Sequence, residues 1–464
     1  MCYNKGMIYL DHAAATPVNP KALEAMLPYF TEQFFNPSAP YLPAKHVREA
    51  YESAKNDLAH VIGAKGVDLV MTAGATESIN LAFTALRAFP QAKCLTLTTE
   101  HAAVLEAAKS HNYELVAVDK NGLIRIDDLR QKLSDDVVFV SVSLANNELG
   151  TIQPLAEIAE ILRQARQDRL QRGITLPLYL HSDASQALSL MDINVARLGV
   201  DLLTLNAAKC GGPKGVGALY VAHGIKLQPL SLGGGQERGL RSGTENVPGV
   251  IGFAKAATEA KAHLSSHRKQ YQKMAEIIRQ ELETIKTPTP DHNLAPHTSI
   301  VSQNDKKVNR KAQAVRFLGN PKHQLSSFVP VCFPGLDAER LIYRLEMRGV
   351  LVSTGAACAA NKGAKSHVLA AIGLSDSEIA GSLRISLGST NTLENVKEAA
   401  SIIADEVRHE YSRIVARGHC AFRESPEATA EDEDARPPQR RADATSCPEK
   451  DNGCADVNEG YTHV

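Results

Sequence analysis

The stretch Leu205-Asn206-Ala207-Ala208-Lys209-Cys210-Gly211-Gly212-Pro213-Lys214-Gly215-Val216-Gly217 joins two apolar runs, Val200-Asp201-Leu202-Leu203-Thr204-Leu205 before it and Ala218-Leu219-Tyr220-Val221 after it. Short apolar runs bounded by glycine-rich turns read as buried strands. Lys209 therefore leaves a strand end at the rim of a sheet. In a partly desolvated cleft the charged form of lysine is disfavoured, so its amine is able to form a Schiff base with an aldehyde. A surface lysine at a strand edge is the plain alternative, and the flanking segments must decide.

Upstream, strands and helices alternate. A short strand at 8–11 enters the turn His12-Ala13-Ala14-Ala15-Thr16-Pro17, and helices are expected at 20–30 and 44–61, the second ended by Gly63. A strand at 68–72 passes through Ala73-Gly74-Ala75-Thr76-Glu77-Ser78 into a helix reaching 88. That order puts free backbone N–H groups and a hydroxyl at a helix N-terminus, which suits a phosphate, though a plain connection reads the same way. Strands at 94–98, 114–118, 137–144 and 178–181 follow, with helices at 102–110 and 154–172. This is an α/β pattern: a mostly parallel sheet covered by helices on both faces. Ligands of such sheets bind beyond the carboxyl ends of the strands. The rule collects Thr76, His101, Asn147, Asp183, Gln186 and Lys209 at one rim.

Downstream of the glycine-rich loop 233–244 the pattern changes. Helices at 250–262, 267–284, 337–348 and 393–411, with strands at 326–332, 350–353 and 383–387, read as a smaller α+β domain. The expected division is a large domain over 16–250 and a small one over 1–15 and 251–415. Segment 287–324 is polar and reads as an irregular insertion. Residues 416–464 alternate charge with small polar residues, as in Glu431-Asp432-Glu433-Asp434, and read as a disordered tail.

The 464 residues carry a net charge of -1, with 44% apolar and 22% charged. Near-neutrality gives no support for nucleic-acid partners. No apolar run reaches a membrane span and the N-terminus lacks the apolar core of a signal peptide, so a cytoplasmic setting is the expectation. The cysteines Cys2, Cys94, Cys210, Cys332, Cys358, Cys420, Cys447 and Cys454 show no paired metal-ligand spacing. Cys332, between Val331 and Phe333, reads as core packing. Cys358 does not: Ser353-Thr354-Gly355-Ala356-Ala357-Cys358-Ala359-Ala360-Asn361-Lys362-Gly363-Ala364-Lys365-Ser366 surrounds it with small residues and two lysines, a setting that favours an accessible thiolate.

With these residues in view, the chain resembles the cysteine desulfurases of the NifS and IscS type, pyridoxal-phosphate enzymes of the class-V aminotransferase family. The resemblance runs from about 8 to 407, outside 287–324, and is carried in order by Tyr9-Leu10-Asp11-His12-Ala13-Ala14-Ala15-Thr16-Pro17, Gly74-Ala75-Thr76-Glu77-Ser78-Ile79-Asn80, Thr99-Glu100-His101, Asn146-Asn147-Glu148-Leu149-Gly150, Asp183-Ala184-Ser185-Gln186, the Lys209 stretch, 233–244, the Cys358 loop and Ser382-Leu383-Arg384-Ile385-Ser386-Leu387-Gly388. It implies the fold type I architecture for the large domain and a homodimer with shared sites.

It also implies roles. Lys209 would hold pyridoxal phosphate and shuttle the substrate Cα proton. Asp183 would pair with the pyridine nitrogen, His101 would stack on the ring and serve in proton transfer, Gln186 would bond the ring hydroxyl, and Asn147 would orient cofactor and substrate. Ala75, Thr76 and Asn206 would hold the phosphate, with Thr244 reaching that of a neighbouring subunit. Arg384 would take the substrate carboxylate through two prongs. Cys358 would attack the sulfur of L-cysteine, leaving L-alanine and a persulfide. The spacing from Cys358 to Ser366-His367-Val368-Leu369 resembles the long-loop members, which deliver sulfur to a partner for iron–sulfur assembly or tRNA thiolation.

Two departures stand out: Asn206 where members carry serine or threonine, and Ala208 where they carry a phosphate-binding histidine. Asn206 can still donate, Ala208 cannot; weaker cofactor retention is expected. The alternatives are a selenocysteine lyase or another pyridoxal-phosphate lyase or aminotransferase, and a catalytically impaired scaffold. An aminotransferase would leave Cys358 without a role, and a scaffold would leave Lys209, Asp183, His101 and Arg384 without one.

Overall fold

In the computed structural model, which describes residues 6–286, 314–354 and 365–420 with the side chains of 417–420 excepted, the alternating pattern becomes a seven-stranded sheet. The strands of all its sheets, in chain order, are β1 Ile8–Tyr9, β2 Leu69–Thr72, β3 Lys93–Leu97, β4 Asn112–Val116, β5 Val137–Ser141, β6 Tyr179–Asp183, β7 Leu202–Asn206, β8 Gly217–Val221, β9 Arg316–Phe317, β10 Phe328–Cys332, β11 Val350–Leu351 and β12 Ser382–Ser386. The large sheet has the order β2-β8-β7-β6-β5-β3-β4. Its pairs are parallel except where β8 runs against β2 and β7. The exception has a simple cause: the glycine-rich turn after Lys209 is too short for a crossover, so β8 must return antiparallel.

Both faces of this sheet are covered, which is why its strands read as apolar runs rather than as alternating patterns. Helices α1 Pro20–Met26, α2 Pro28–Thr31, α3 Leu42–Val61, α4 Ala75–Phe83, α5 Ala102–Lys109, α6 Ile126–Lys132, α7 Leu155–Gln171, α8 Val195–Leu198 and α9 Val247–Ala262 surround it. Leu203 and Leu205 share a core with Leu58 of α3, Ile158 of α7 and Phe253 of α9, whereas Leu202 points the other way, to Ile79 of α4 and Val104 of α5. The helix expected at 20–30 is two, because Pro28 has no N–H to continue the first and opens the second. The helix expected to reach 88 tightens into a 3₁₀ turn at Thr84–Ala88.

A second core forms beside the first. Helices α10 Leu264–Glu283, α11 Ala338–Met347 and α14 Leu393–Cys420 pack on an antiparallel sheet of order β12-β10-β9, with β1 and β11 paired in parallel alongside. Ile8 and Leu10 belong to this core, which ties the N-terminus to it. Two short helices, α12 His367–Ala371 and α13 Asp376–Ala380, precede β12, and Val368 and Leu369 of α12 reach back into the large-sheet core. The described residues through Arg417 hold together as one compact unit.

The segment 287–324 reads as irregular throughout, but its described end is not. Residues 316–317 form an edge strand on β10, Leu318 is buried, and Gln324 bridges Thr151. These partners are remote in sequence, so no local pattern announces them. The tail begins later than 416, since α14 continues to Cys420; the rest of the tail lies outside the described residues, as does Cys358.

Candidate active site

The strand ends of the large sheet deliver the side chains named above. His101 caps α5 just past β3, Asn147 follows β5, Asp183 ends β6 with Gln186 three residues on, and Asn206 ends β7 directly before the 3₁₀ turn Ala207–Lys209. Burial and charge couple them. Desolvation lowers the His101 pKa, Asp183 pulls it upward, and Lys209 and His367 push it down again. Ala103 N–H donates to His101 Nδ1 at 3.1 Å, so this nitrogen carries no proton and the N–H lies on Nε2. Asp183 is buried, and Ser185 holds its Oδ1 through both N–H (2.9 Å) and hydroxyl (2.6 Å).

Lys209 is fixed by the N-terminal turn. Its Nζ donates to the carbonyls of Ala13 (2.9 Å) and Ala14, and Gln186 Nε2 donates to the same Ala13 carbonyl at 3.0 Å. The turn is itself braced. Tyr9 OH donates to the carbonyls of Asp11 (2.7 Å) and Ala15 (3.0 Å), and Ala13 N–H donates to Ser386 Oγ at 2.9 Å. Thr16 then reaches the lysine's own turn: its hydroxyl donates to the Ala208 carbonyl at 3.0 Å and accepts from Gly211 N–H at 2.9 Å.

An anion cradle lies at the start of α4. Gly74 opens that helix at φ +149° with no side-chain cap, so the first N–H groups, those of Ala75 and Thr76 among them, are left for a ligand or water. Only glycine suits the facing position of β8: a Cβ on Gly217 would stand 2.7 Å from the Gly74 backbone and 2.8 Å from the Leu205 carbonyl. Asn206 turns its Oδ1 to Ala208 N–H at 3.1 Å, which directs its amide N–H groups away from that bond. Thr244 is exposed on the loop that follows β8. That loop is anchored by Arg241 on Glu77 at 3.1 Å and by buried Glu237, which accepts from Lys55, Tyr51 and Met71 N–H.

Arg384 rises from β12, on the second core, to the same place. Its Nη2 lies 2.6 Å from Asp11 Oδ1 and its Nη1 donates to the Asn147 carbonyl at 3.0 Å, with both charged side chains nearly buried. A guanidinium so held presents a fixed fork to a carboxylate. Three other thiols are poor nucleophiles by contrast: burial pushes Cys94 and Cys210 up to about 12 and Cys332 up to about 11.

The geometry adds residues to those read from the sequence. Asp11 orients Arg384, Tyr9 and Ser386 brace the turn that holds Lys209, and two buried glutamates, Glu100 and Glu148, stand directly beside His101 and Asn147. Each lies inside a stretch quoted for the resemblance, but only the fold shows what it touches. Among the described residues no group of histidines, cysteines and carboxylates is placed to hold a metal, and no helix is long and apolar enough to cross a membrane.

Comparison with known proteins agrees with this arrangement. The family model for class-V aminotransferases matches residues 8–312 and 292–398. Cysteine desulfurase IscS of Methanosarcina thermophila is 36% identical over 409 residues, covering 86% of this chain and 92% of that protein. Cysteine desulfurase IscS 1 of Archaeoglobus fulgidus is 37% identical over 405 residues, covering 86% and 96%. Among solved structures, a NifS-like protein superposes with a TM-score of 0.74 at 29% identity, covering 86% of this chain and 98% of its own.

Proposed function

Because the chain belongs to the class-V aminotransferases and within them is a pyridoxal-phosphate-dependent cysteine desulfurase, we propose that its sulfur leaves L-cysteine through Cys358 and that the rim of the large sheet supplies the other working groups. The observation that carries this assignment is Arg384, held by Asp11 and the Asn147 carbonyl beside the turn of Lys209. The donor set suits the cofactor: an uncapped helix start for its phosphate, Asp183 for its ring nitrogen, Gln186 for its hydroxyl and Lys209 for its aldehyde. When bound, the cofactor supplies an electron sink for the substrate carbon.

The chain's own residues do the rest. Arg384 binds the substrate carboxylate and fixes which bond faces the lysine. Lys209 takes and returns the Cα proton, with the Ala13 and Ala14 carbonyls as acceptors for its N–H groups. His101, neutral and with its Nε2–H available, is the second proton carrier. The Cys358 thiolate forms an S–S bond to the substrate sulfur as the C–S bond breaks; the electron pair goes to carbon, which gains a proton and becomes the methyl group of alanine.

The persulfide then passes to an acceptor for iron–sulfur assembly or tRNA thiolation. The working form is a cytoplasmic homodimer in which Thr244 serves the other subunit's phosphate. Support for the dimer is a set of large apolar side chains exposed on and after α1, namely Leu23, Leu27, Phe30, Phe34, Tyr41 and Leu42. The domain division we propose is 16–250 for the large domain and 1–15 with 251–415 for the small one; a core that holds Ile8, Leu10 and Ile385 supports a separate small domain, although Ala13, α9 and α12 pack on the large core.

The test is release of alanine and sulfide from L-cysteine, with pyridoxal phosphate and a thiol reductant, by wild type, Cys358→Ser and Lys209→Ala. Products from wild type alone support the assignment; persistence in either variant overturns that residue's role. Light scattering tests the dimer.

A further inference from the structure

The turn that opens α4 carries an acid where an anion is to bind. Glu77 is the third residue of that helix, and a carboxylate in a first turn draws on the same N–H groups and dipole that would hold a phosphate. In the usual capping box such an acid bonds the N–H of the cap residue itself. Here Glu77 reaches one residue further: its Oε2 accepts Ala73 N–H at 2.5 Å, while the Thr72 hydroxyl donates to the Gly74 carbonyl at 3.1 Å. These bonds fix the turn from outside and spend no N–H of Ala75 or Thr76. The turn therefore suits a phosphate in shape and opposes it in charge.

The opposing charge is met from 164 positions away, by Arg241, whose Nε lies 3.1 Å from Glu77 Oε1. Arg241 arrives there on a loop folded back on itself. It forms a bridge with Ser231, Gly235 N–H donates to Ser242 Oγ at 3.3 Å, and Gly243 N–H donates to Gln236 Oε1 at 3.0 Å. Within the loop, Glu237 and Arg238 take φ of +49° and +60°, a left-handed pair that residues with a Cβ seldom adopt. Such strain persists where the surroundings impose it. Here they bury the Glu237 side chain against β2 and α3, where it accepts from Met71 N–H at 2.8 Å, Tyr51 OH at 2.6 Å and Lys55 Nζ at 2.9 Å. Lys55 is thus the cation of Glu237, and Arg241 that of Glu77.

We infer that Glu77 and Arg241 are positioning residues for the cofactor phosphate: Glu77 holds the turn that leaves the start of α4 open, and Arg241 cancels the charge with which Glu77 would repel the anion. Resting on the assignment of that phosphate to Ala75 and Thr76, this role gives the 233–244 loop a part in cofactor retention within its own subunit, apart from the proposed reach of Thr244 to the neighbouring one. A compensating charge and a plain clamp differ in sign. A clamp fails whichever partner is removed, whereas a compensating cation is missed only while the acid remains.

The experiment follows loss of yellow absorbance on dialysis of full-length protein loaded with pyridoxal phosphate or, in parallel, with pyridoxal, which offers Lys209 the same aldehyde without the phosphate. Arg241→Gln is expected to lose pyridoxal phosphate about tenfold faster than wild type, the scale of one charge at a partly buried helix terminus, and to lose pyridoxal at the wild-type rate. Glu77→Gln, which keeps an oxygen for Ala73 N–H, loses neither faster, and adding it to Arg241→Gln restores retention to within about threefold of wild type. Arg241→Lys, which keeps the charge, stays in the same range. A double variant no better than Arg241→Gln, a Glu77→Gln as damaging as Arg241→Gln, or an equal loosening of pyridoxal overturns the inference. Wild type separates the two levels: if it keeps both cofactors equally, the phosphate assignment and this inference fall together, whereas a wild-type preference for pyridoxal phosphate that survives in Arg241→Gln removes this inference alone.

Discussion

Replacing Asp11 by alanine asks whether the carboxylate beside Arg384 orients the guanidinium or merely neutralises it, and the two roles predict opposite signs. Asp11 Oδ1 lies 2.6 Å from Arg384 Nη2, and the two side chains are only 15% and 5% exposed. In such burial a charge-assisted hydrogen bond contributes about 1.5–3 kcal/mol. Without it the guanidinium keeps the Asn147 carbonyl at 3.0 Å on Nη1, and β12 stays paired with β10, so the backbone is held while the fork can swing. If orientation is what Asp11 supplies, the KM for L-cysteine in Asp11→Ala rises by about ten- to a hundredfold at 1.4 kcal/mol per decade, and kcat at saturation changes little. If Asp11 only offsets charge, its removal leaves a stronger cation for the substrate carboxylate and KM falls. Asp11→Asn keeps an acceptor oxygen and loses the charge; under the orientation argument it stays within about threefold of wild type, well under the value of a full charge-assisted bond. Steady-state alanine release with circular dichroism as a check of folding is sufficient. A folded Asp11→Ala with an unchanged or lowered KM refutes the reasoning.

Three further outcomes follow from buried groups. Burial pushes the Glu100 carboxyl up to about 8 despite two hydrogen bonds from Ser143, so the fold keeps a proton that the unfolded chain releases near pH 4.5; stability should decline as pH rises from about 4.5 to about 8, by a few kcal/mol at most, and Glu100→Gln should remove that slope in denaturant midpoints taken across the range. Lys55→Met leaves Glu237 buried without its cation and should cost about 3–5 kcal/mol by urea unfolding, while adding Glu237→Gln should recover part of the loss; equal losses in single and double variants would refute a buried ion pair. Ala208→His should slow loss of pyridoxal phosphate on dialysis, read as retained yellow absorbance, by about tenfold for one added hydrogen bond to a charged group, and an unchanged rate would show that Asn206 and the α4 terminus already suffice.

Much of the scaffold was readable because it rests on local rules. The α3 helix stops where Gly63 takes φ +71°, and the strands of the large sheet are apolar because helices cover both faces. The carboxyl-end rule placed His101, Asp183 and Lys209 together without knowledge of any partner. What local rules did not show depends on remote pairing. Arg316 and Phe317 are a strand because Cys332 and Val331 accept them, and α12 is a helix of five residues whose core contacts lie on the large sheet. Asp11 stood in a quoted motif, yet nothing in its neighbours indicates an arginine 373 positions away.

The N-terminal segment explains why the site needs both cores. Ile8 and Leu10 are buried in the small core and Ala13 in the large one, so the chain between them crosses from one to the other. Within that crossing Asp11 engages Arg384, Ala13 and Ala14 engage Lys209, and Thr16 engages the turn of Lys209. The crossing therefore sets the distance between Arg384, proposed to bind the substrate carboxylate, and Lys209, proposed to move its proton. Tyr9, bonded to the carbonyls of both Asp11 and Ala15, closes the segment into a rigid turn. Rigidity here has a kinetic meaning: a loose turn lets substrate bind through Arg384 while Lys209 is out of reach, which lowers kcat with KM unchanged. Asp11 acts on the arginine and Tyr9 on the spacing, so their loss should appear in different kinetic constants although the two residues are neighbours in the same turn.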